Sequence, residues 1–272
     1  MKQLLRYEMQ RCLKSKGFYL AVFLSAAMAV MHYIILKRPV IQYIDTDYIY
    51  VYYPNSFYNK WMGGEGATSI GHFAPLFVPL LACMPFSASL SNDYSSGIIN
   101  NILVSVTPAE YAAAKSVVTF TGGAFLGALP YLISMALNLC TYPLLRLEKA
   151  TDSSFMGPGM LFYDVWCFHP FLYCVLYLFL VALYAGTLAL FGMAMGRILK
   201  KAYSIILFPT IMMYAAEHVV YTMGATAFLP TSVFFPVQAF FSSYWAIPVW
   251  ILGLMLVSAA LIQWKVTGSD AL

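Results

Sequence analysis

Charged residues are scarce in this chain of 272 residues: Asp, Glu, Lys and Arg make up 10% of it, whereas hydrophobic residues make up 61%. A typical soluble domain carries roughly 25% charged residues. The mean hydropathy is +0.75, and apolar runs long enough to cross a bilayer recur along the whole sequence. The composition therefore argues against an ordinary soluble fold. It predicts one all-α integral membrane domain over residues 1–272.

The motifs of several enzyme classes are also missing. The chain has no GxxxxGK[ST] phosphate loop, and the glycine-rich stretch 63–66 lacks its lysine, so the chain is not expected to hydrolyse ATP by itself. Neither a GxSG motif with a histidine partner nor paired glutamates with an intramembrane histidine are present, which disfavours an intramembrane protease. We therefore expect no catalytic residue.

Metal and nucleic-acid sites are not expected either. The five cysteines show no CxxC or other metal spacing, and no two histidines have ligand spacing, so neither a metal nor another cofactor is predicted. Cys140 and Cys167 both fall near the predicted outer face, which leaves a disulfide as an open alternative. Lys and Arg lie at the ends of apolar runs, whereas a nucleic-acid-binding protein clusters them on one face.

Six apolar segments of about 20 residues or more predict transmembrane helices, because 20 helical residues cover a hydrocarbon core of roughly 30 Å. The predicted spans are 17–36, 71–90, 116–140, 169–196, 202–223 and 244–264. Lys and Arg number ten on one side of these spans and five on the other. The positive-inside rule then places both termini in the cytoplasm.

Two further segments flank the spans. Residues 1–16 place Leu5, Met9, Cys12 and Leu13 on one helical face, which predicts an amphipathic helix at the inner membrane interface. A basic flank without an ordered helix is the alternative. The proline-broken stretch 224–243 is too short to cross the membrane and return, so it predicts short re-entrant or interfacial helices that pack against the protein or line a cavity.

The segment between the second and third spans, DYSSGIINNILVSVTPAEYAAAK, has its own helical pattern. Its apolar face is formed by Ile98, Ile99, Ile102, Leu103 and Val106, opposite Asn100, Asn101 and Ser105. Thr107 and Glu110 have capping-box spacing around Pro108, so a new helix is predicted to begin there. The result is a short cytoplasmic helix, a break and a second helix. Such a helix either turns the chain around or transmits force from a soluble partner.

Two other patterns are notable inside the apolar runs. Glu217 and His218 are an ionisable pair within the fifth predicted span, which makes them candidates for a substrate pathway. The alternative is a polar group satisfied by the segment that follows. Gly123 and Gly127 have the small-xxx-small spacing of close helix packing, either within one protomer or between two.

The segment between spans 2 and 3 also resembles part of a known family. The stretch SGIINNIL, residues 96–103, and the stretch YAAAK, residues 111–115, are similar to the SGTIKNIL and YxxxK elements of small bacterial ABC-2 type transporter permeases. The basic N-terminal helix, the six spans and the broken segment before the last span agree with this architecture. Asn100 stands where the family commonly has Lys, and Ala109 and Glu110 stand where a basic residue often follows the break.

The resemblance implies a permease subunit in a bacterial plasma membrane, in which two protomers form a homo- or heterodimeric pathway through the lipid bilayer. A separate ABC ATP-binding subunit would receive the short cytoplasmic helix, here the coupling helix, and the cargo would be an exported peptide, drug or lipid-like molecule. The implied coupling residues are Asp93, Gly97, Ile98, Asn101, Ile102, Pro108, Tyr111 and Lys115. The alternatives are a non-transporting membrane sensor or immunity protein and, third, an intramembrane enzyme.

Overall fold

The computed structural model describes residues 2–43, 56–64, 69–145, 159–238 and 240–268, which form helices, turns and connecting loops without a strand. The all-α prediction is confirmed. The helices are α1 Lys2–Leu13, α2 Lys16–Tyr43, α3 Phe57–Lys60, α4 Ser69–Cys83, α5 Ser89–Ser95, α6 Ile98–Leu103, α7 Pro108–Leu139, α8 Tyr163–Phe168, α9 Pro170–Met195, α10 Ala202–Thr222, α11 Pro230–Phe234 and α12 Ala246–Gly268. A 3₁₀ turn, Thr226–Phe228, precedes α11.

Five segments of these helices are long and apolar enough to cross a membrane, as expected for a multi-pass membrane protein. They are Lys16–Leu36, Pro108–Leu139, Pro170–Met195, Ala202–Thr222 and Ala246–Gln263. Four of them agree closely with predicted spans. The third predicted span, 116–140, forms the later part of α7, which runs without interruption from the helix start predicted at Pro108.

The second predicted span, 71–90, is not one continuous helix. The apolar helix α4 ends at Cys83, five turn residues follow, and α5 begins at Ser89. Pro85 lies in this turn and has no amide hydrogen for a helical hydrogen bond. Its carbonyl oxygen instead accepts a hydrogen bond from the Ser15 hydroxyl, 3.0 Å away in the turn between α1 and α2. The prediction of a single helix over 71–90 is therefore wrong.

The predicted N-terminal helix is present as α1. Its apolar side chains Leu5, Met9 and Cys12 pack against Phe86 and Val118. The face that we expected to lie on the inner leaflet is therefore turned largely toward the protein.

Helix α9 lies at the centre of the bundle and packs most extensively against α7. Gly123 and Gly127 allow this close approach, since a Cβ atom at either position would clash with Ala189 or Ala185 of α9. The small-xxx-small pattern therefore packs within one protomer.

A 3₁₀ turn and the short proline-started helix α11 lie in the segment between α10 and α12, where the sequence predicts short helices. The Phe234 ring of α11 stacks on Tyr184 of α9, with ring centroids 4.0 Å apart. Farther along, the Tyr173 hydroxyl donates a hydrogen bond to the Pro236 carbonyl at 2.8 Å. The Gln238 side chain is fully buried and donates to the Tyr177 hydroxyl at 2.7 Å. The segment is thus anchored to α9 along much of its length.

Candidate functional site

The chain between α4 and α7 forms an elbow of short helices. Gly97 lies between α5 and α6 as the N-cap of α6, with φ at 71°, a conformation that costs glycine little. At the other end of the elbow, the Thr107 hydroxyl accepts a hydrogen bond from the Glu110 amide at 3.3 Å. The Glu110 carboxylate accepts one from the Thr107 amide at 3.3 Å. This capping box confirms the predicted break and the new helix at Pro108.

One side of α6 packs inward and the other is exposed. Ile99 is 4% exposed and contacts Leu90, Tyr111 and Met193, whereas Ile98 is 43% exposed. The predicted apolar face included both isoleucines, so the buried face is rotated from the expected one. Val104, directly after α6, is 87% exposed.

A cluster of buried charges lies behind the elbow. Its members, called the ion cluster below, are Glu8 and Arg11 of α1, Asp93 of α5, and Tyr111 and Lys115 of α7. Arg11 donates two hydrogen bonds to the Asp93 carboxylate, at 2.7 and 3.0 Å. The Lys115 Nζ atom lies 2.5 Å from Asp93 Oδ2 and 3.3 Å from Glu8 Oε2. Three separate helices are therefore joined through one set of charges.

The ion cluster is electrically balanced and is closed to solvent except at Arg11, whose side chain is 27% exposed. Glu8 and Lys115 are 0% exposed and Asp93 is 2% exposed. Two carboxylates face two cations, so no net charge is buried, and isolated buried charges would be strongly destabilising. The Tyr111 hydroxyl donates a further hydrogen bond to Asp93 at 2.5 Å. The Phe86 ring centroid lies 4.6 Å from Lys115 Nζ.

These contacts shift the pKa values of Asp93 and Arg11, which lie outside the membrane-spanning segments. Burial alone would raise the pKa of Asp93, but the hydrogen bonds from Arg11 and the ion pair with Lys115 outweigh it and lower the pKa to about 2. The hydrogen bond to Asp93 raises the pKa of Arg11 further above its ordinary value. Both groups are therefore held in their charged forms.

The predicted coupling residues divide into three sets by their exposure. Asp93, Tyr111 and Lys115 are buried in the ion cluster, so any part they have in coupling is internal. Ile98 and Asn101 are exposed on α6. The remaining three residues, Gly97, Ile102 and Pro108, are half-buried at the ends of the elbow or on the inner side of α6.

Sequence reasoning did not single out Glu8 and Arg11. One signal was available, since Glu8 is the only acidic residue among the first 44 and lies three positions before Arg11. An isolated acid in a basic membrane-proximal helix indicates a specific partner.

The candidate pathway residues lie far from the ion cluster along the chain. The Glu217 carboxylate accepts hydrogen bonds from the Thr231 amide, at 3.2 Å, and from the Thr231 hydroxyl. Because Thr231 is the second residue of α11, its amide has no partner within that helix. Glu217 of α10 thus caps α11. This agrees with the alternative that Glu217 is a polar group satisfied by the segment that follows its helix. His218 is exposed beside it.

No protein-family model, curated protein or solved structure matches this chain.

Two smaller predictions concern cysteines and metals. Cys140 and Cys167 are free thiols in the structure, so the alternative disulfide is not formed there. Among the residues that the structure describes, no three or more His, Cys, Asp or Glu side chains lie together as a metal site would require.

Proposed function

We propose that this chain is the transmembrane permease subunit of an ABC transporter and that a separate ATP-binding subunit drives it. The observation that supports the proposal best is the elbow around α6. The elbow exposes the short helix α6 to a partner. Its buried Asp93, in α5, is paired with Arg11 of α1 and Lys115 of α7.

A coupling helix needs an accessible surface. Ile98, Asn101 and Val104 provide one at the tip of the elbow, where an apolar patch of this kind suits a groove on a partner protein. The flanking break at Thr107 is capped, so the tip is an ordered structure rather than a loose loop.

Coupling also needs rigid transmission. A push on α6 reaches Asp93 of α5 through the two-residue connection between these helices, and Asp93 is bonded to both α1 and α7. Helix α7 in turn packs closely on the central α9. Motion of the tip is thereby passed to the bundle core.

The same proposal includes the membrane crossings, a second protomer and the exported molecule. The chain crosses the plasma membrane six times with both termini in the cytoplasm, α4 and the turn that follows it serving as the second crossing, and α11 lies in a re-entrant segment. A second protomer completes the pathway, with Glu217 and His218 near its outer end. An amphipathic peptide, drug or lipid-like molecule is exported.

A photo-crosslinking experiment tests the coupling role. A photoreactive amino acid at Asn101 is expected to crosslink the full-length chain in its native membrane to a protein that carries a phosphate-loop motif. The same probe at Phe168, which is 67% exposed outside the elbow, is the control and should not crosslink to that protein.

Paired substitutions give the functional readout. Val104→Asp should abolish ATPase activity that co-purifies with the chain, because it places a charge on the docking surface. Leu144→Asp places the same charge beyond the other end of α7, at a residue that is 56% exposed, and should leave the activity intact. Equal effects of the two substitutions, or crosslinks from Asn101 that contain no ATPase, would refute the proposal.

A further inference from the structure

A pocket of about 410 Å³ lies between α4, α10 and the segment that follows α10. One wall is formed by α10, with the side chains Tyr214, Glu217, His218 and Tyr221, and Ser232 and Phe240 contribute to the opposite side. The pocket thus combines a carboxylate, a hydroxyl and aromatic rings in a mostly apolar surface, a composition typical of ligand sites.

Ser232 is the least expected group in this wall. It is 1% exposed, and its Oγ atom has no hydrogen-bond partner among the residues that the structure describes. A buried hydroxyl is normally hydrogen-bonded, because leaving it unpaired costs free energy. A ligand group at the pocket would supply the missing partner.

Glu217 offers the complementary charge. Thr231 donates two hydrogen bonds to the carboxylate, but two oxygens accept about four. Within the described ranges no ion pair to Glu217 is present; the ion pairs of the ion cluster all involve other acids. A half-buried carboxylate in an apolar helix, without a cation of its own, favours a positively charged ligand.

A second pocket, of about 490 Å³, adjoins the first and shares Leu76 and Tyr214 with it. Its other walls are apolar side chains of α2 and α4, among them Met31, Phe73 and Phe77. The first pocket therefore contributes an acid, and the second is lined by apolar and aromatic side chains.

We propose that these joined pockets bind an amphiphile with an ammonium head group. The ammonium N–H groups donate to the Glu217 carboxylate and to Ser232 Oγ, and the Tyr214 and Tyr221 rings add cation–π contacts. The alkyl chain occupies the second pocket. This inference concerns binding by the chain alone and does not require the transport role proposed above.

Binding of radiolabelled dodecylamine to the purified full-length chain in lipid nanodiscs tests the site, with dodecanol as the uncharged competitor. Dodecylamine should bind in preference, and Glu217→Gln should weaken its binding by about tenfold or more, because a charge-assisted hydrogen bond is lost. Asp164→Asn removes the same charge from an exposed residue outside both pockets and should leave the affinity unchanged.

Ser232→Ala provides the second variant, since it removes only an unpartnered hydroxyl and should not impair folding. It should weaken dodecylamine binding severalfold but leave dodecyltrimethylammonium, which has no N–H group, unaffected. If dodecanol displaces dodecylamine at equal concentration, or if neither pocket variant changes its affinity, the inference is wrong. Should Glu217→Gln fail to fold, the Ser232→Ala comparison decides alone. Because no ATP-binding subunit takes part, failure here is distinct from failure of the permease proposal.

Discussion

At the scale of single residues, Lys115 has the most consequential environment. Its ammonium group is 0% exposed and is paired with both Glu8 and Asp93. Removing one partner from a buried ion pair is far more destabilising than removing both, since the other charge is left uncompensated. We therefore expect the stability of the fold to depend on the net charge of the ion cluster more than on any single charge in it.

We expect Lys115→Met to lower the free energy of unfolding by about 3 to 5 kcal/mol. The double variant Glu8→Gln/Lys115→Met restores neutrality and should recover about 1 to 3 kcal/mol of that loss. Detergent-induced unfolding followed by circular dichroism measures both. Lys200→Met, at an exposed position, should change the value by no more than about 0.5 kcal/mol. Strictly additive effects of the two substitutions would show that the charges are not coupled.

The lowered pKa of Asp93 predicts how the stability of the fold depends on pH. Its pKa is about 2 in the fold against an ordinary 3.8. A lowered folded-state pKa contributes stability above the ordinary value, and this contribution is lost as the pH falls from about 4 to about 2. The thermal unfolding midpoint of the wild type should therefore converge on that of Asp93→Asn over this interval. Asp164→Asn, at an exposed acid, should track the wild type throughout. Curves for Asp93→Asn and the wild type that stay parallel below pH 4 would contradict the assignment.

At the scale of elements, local patterns in the sequence predict much of the fold. Hydropathy finds the five long spans, and the capping box finds the start of α7, because each signal lies within one stretch of chain. The break after α4 could not be predicted in the same way. Pro75 and Pro79 lie inside α4 without ending it, whereas Pro85 lies in the turn.

What distinguishes Pro85 is a contact from elsewhere in the chain. Ser15, 70 positions earlier, satisfies its carbonyl oxygen, and Gly17 approaches the neighbouring Met84 carbonyl so closely that a Cβ atom would clash with it. The ion cluster escaped prediction for the same reason, since Arg11 and Asp93 are 82 positions apart. Local sequence identified Asp93, Tyr111 and Lys115 as notable but could not show that they meet.

At the scale of the whole molecule, the α7–α9 pair determines how closely the bundle can pack. Gly123→Leu would force these helices apart, and we expect a loss of about 2 kcal/mol or more in the free energy of unfolding from overpacking. Gly253→Leu on α12 is the matched control, because a Cβ atom at Gly253 meets nothing within 4 Å. It should be neutral or slightly stabilising, since leucine favours helix more than glycine does. Equal losses at the two positions would mean that the close α7–α9 contact does not matter.

The ion cluster also bears on how the chain matures during its synthesis. Glu8 and Lys115 lie about a hundred residues apart, so a ribosome adding about 5 to 20 residues per second makes Lys115 roughly 5 to 20 s after Glu8. Until α7 has been made, Glu8 of α1 lacks its buried lysine, so the ion cluster cannot form. Helix α1 is then made well before it can complete its docking, which waits for Lys115 of α7.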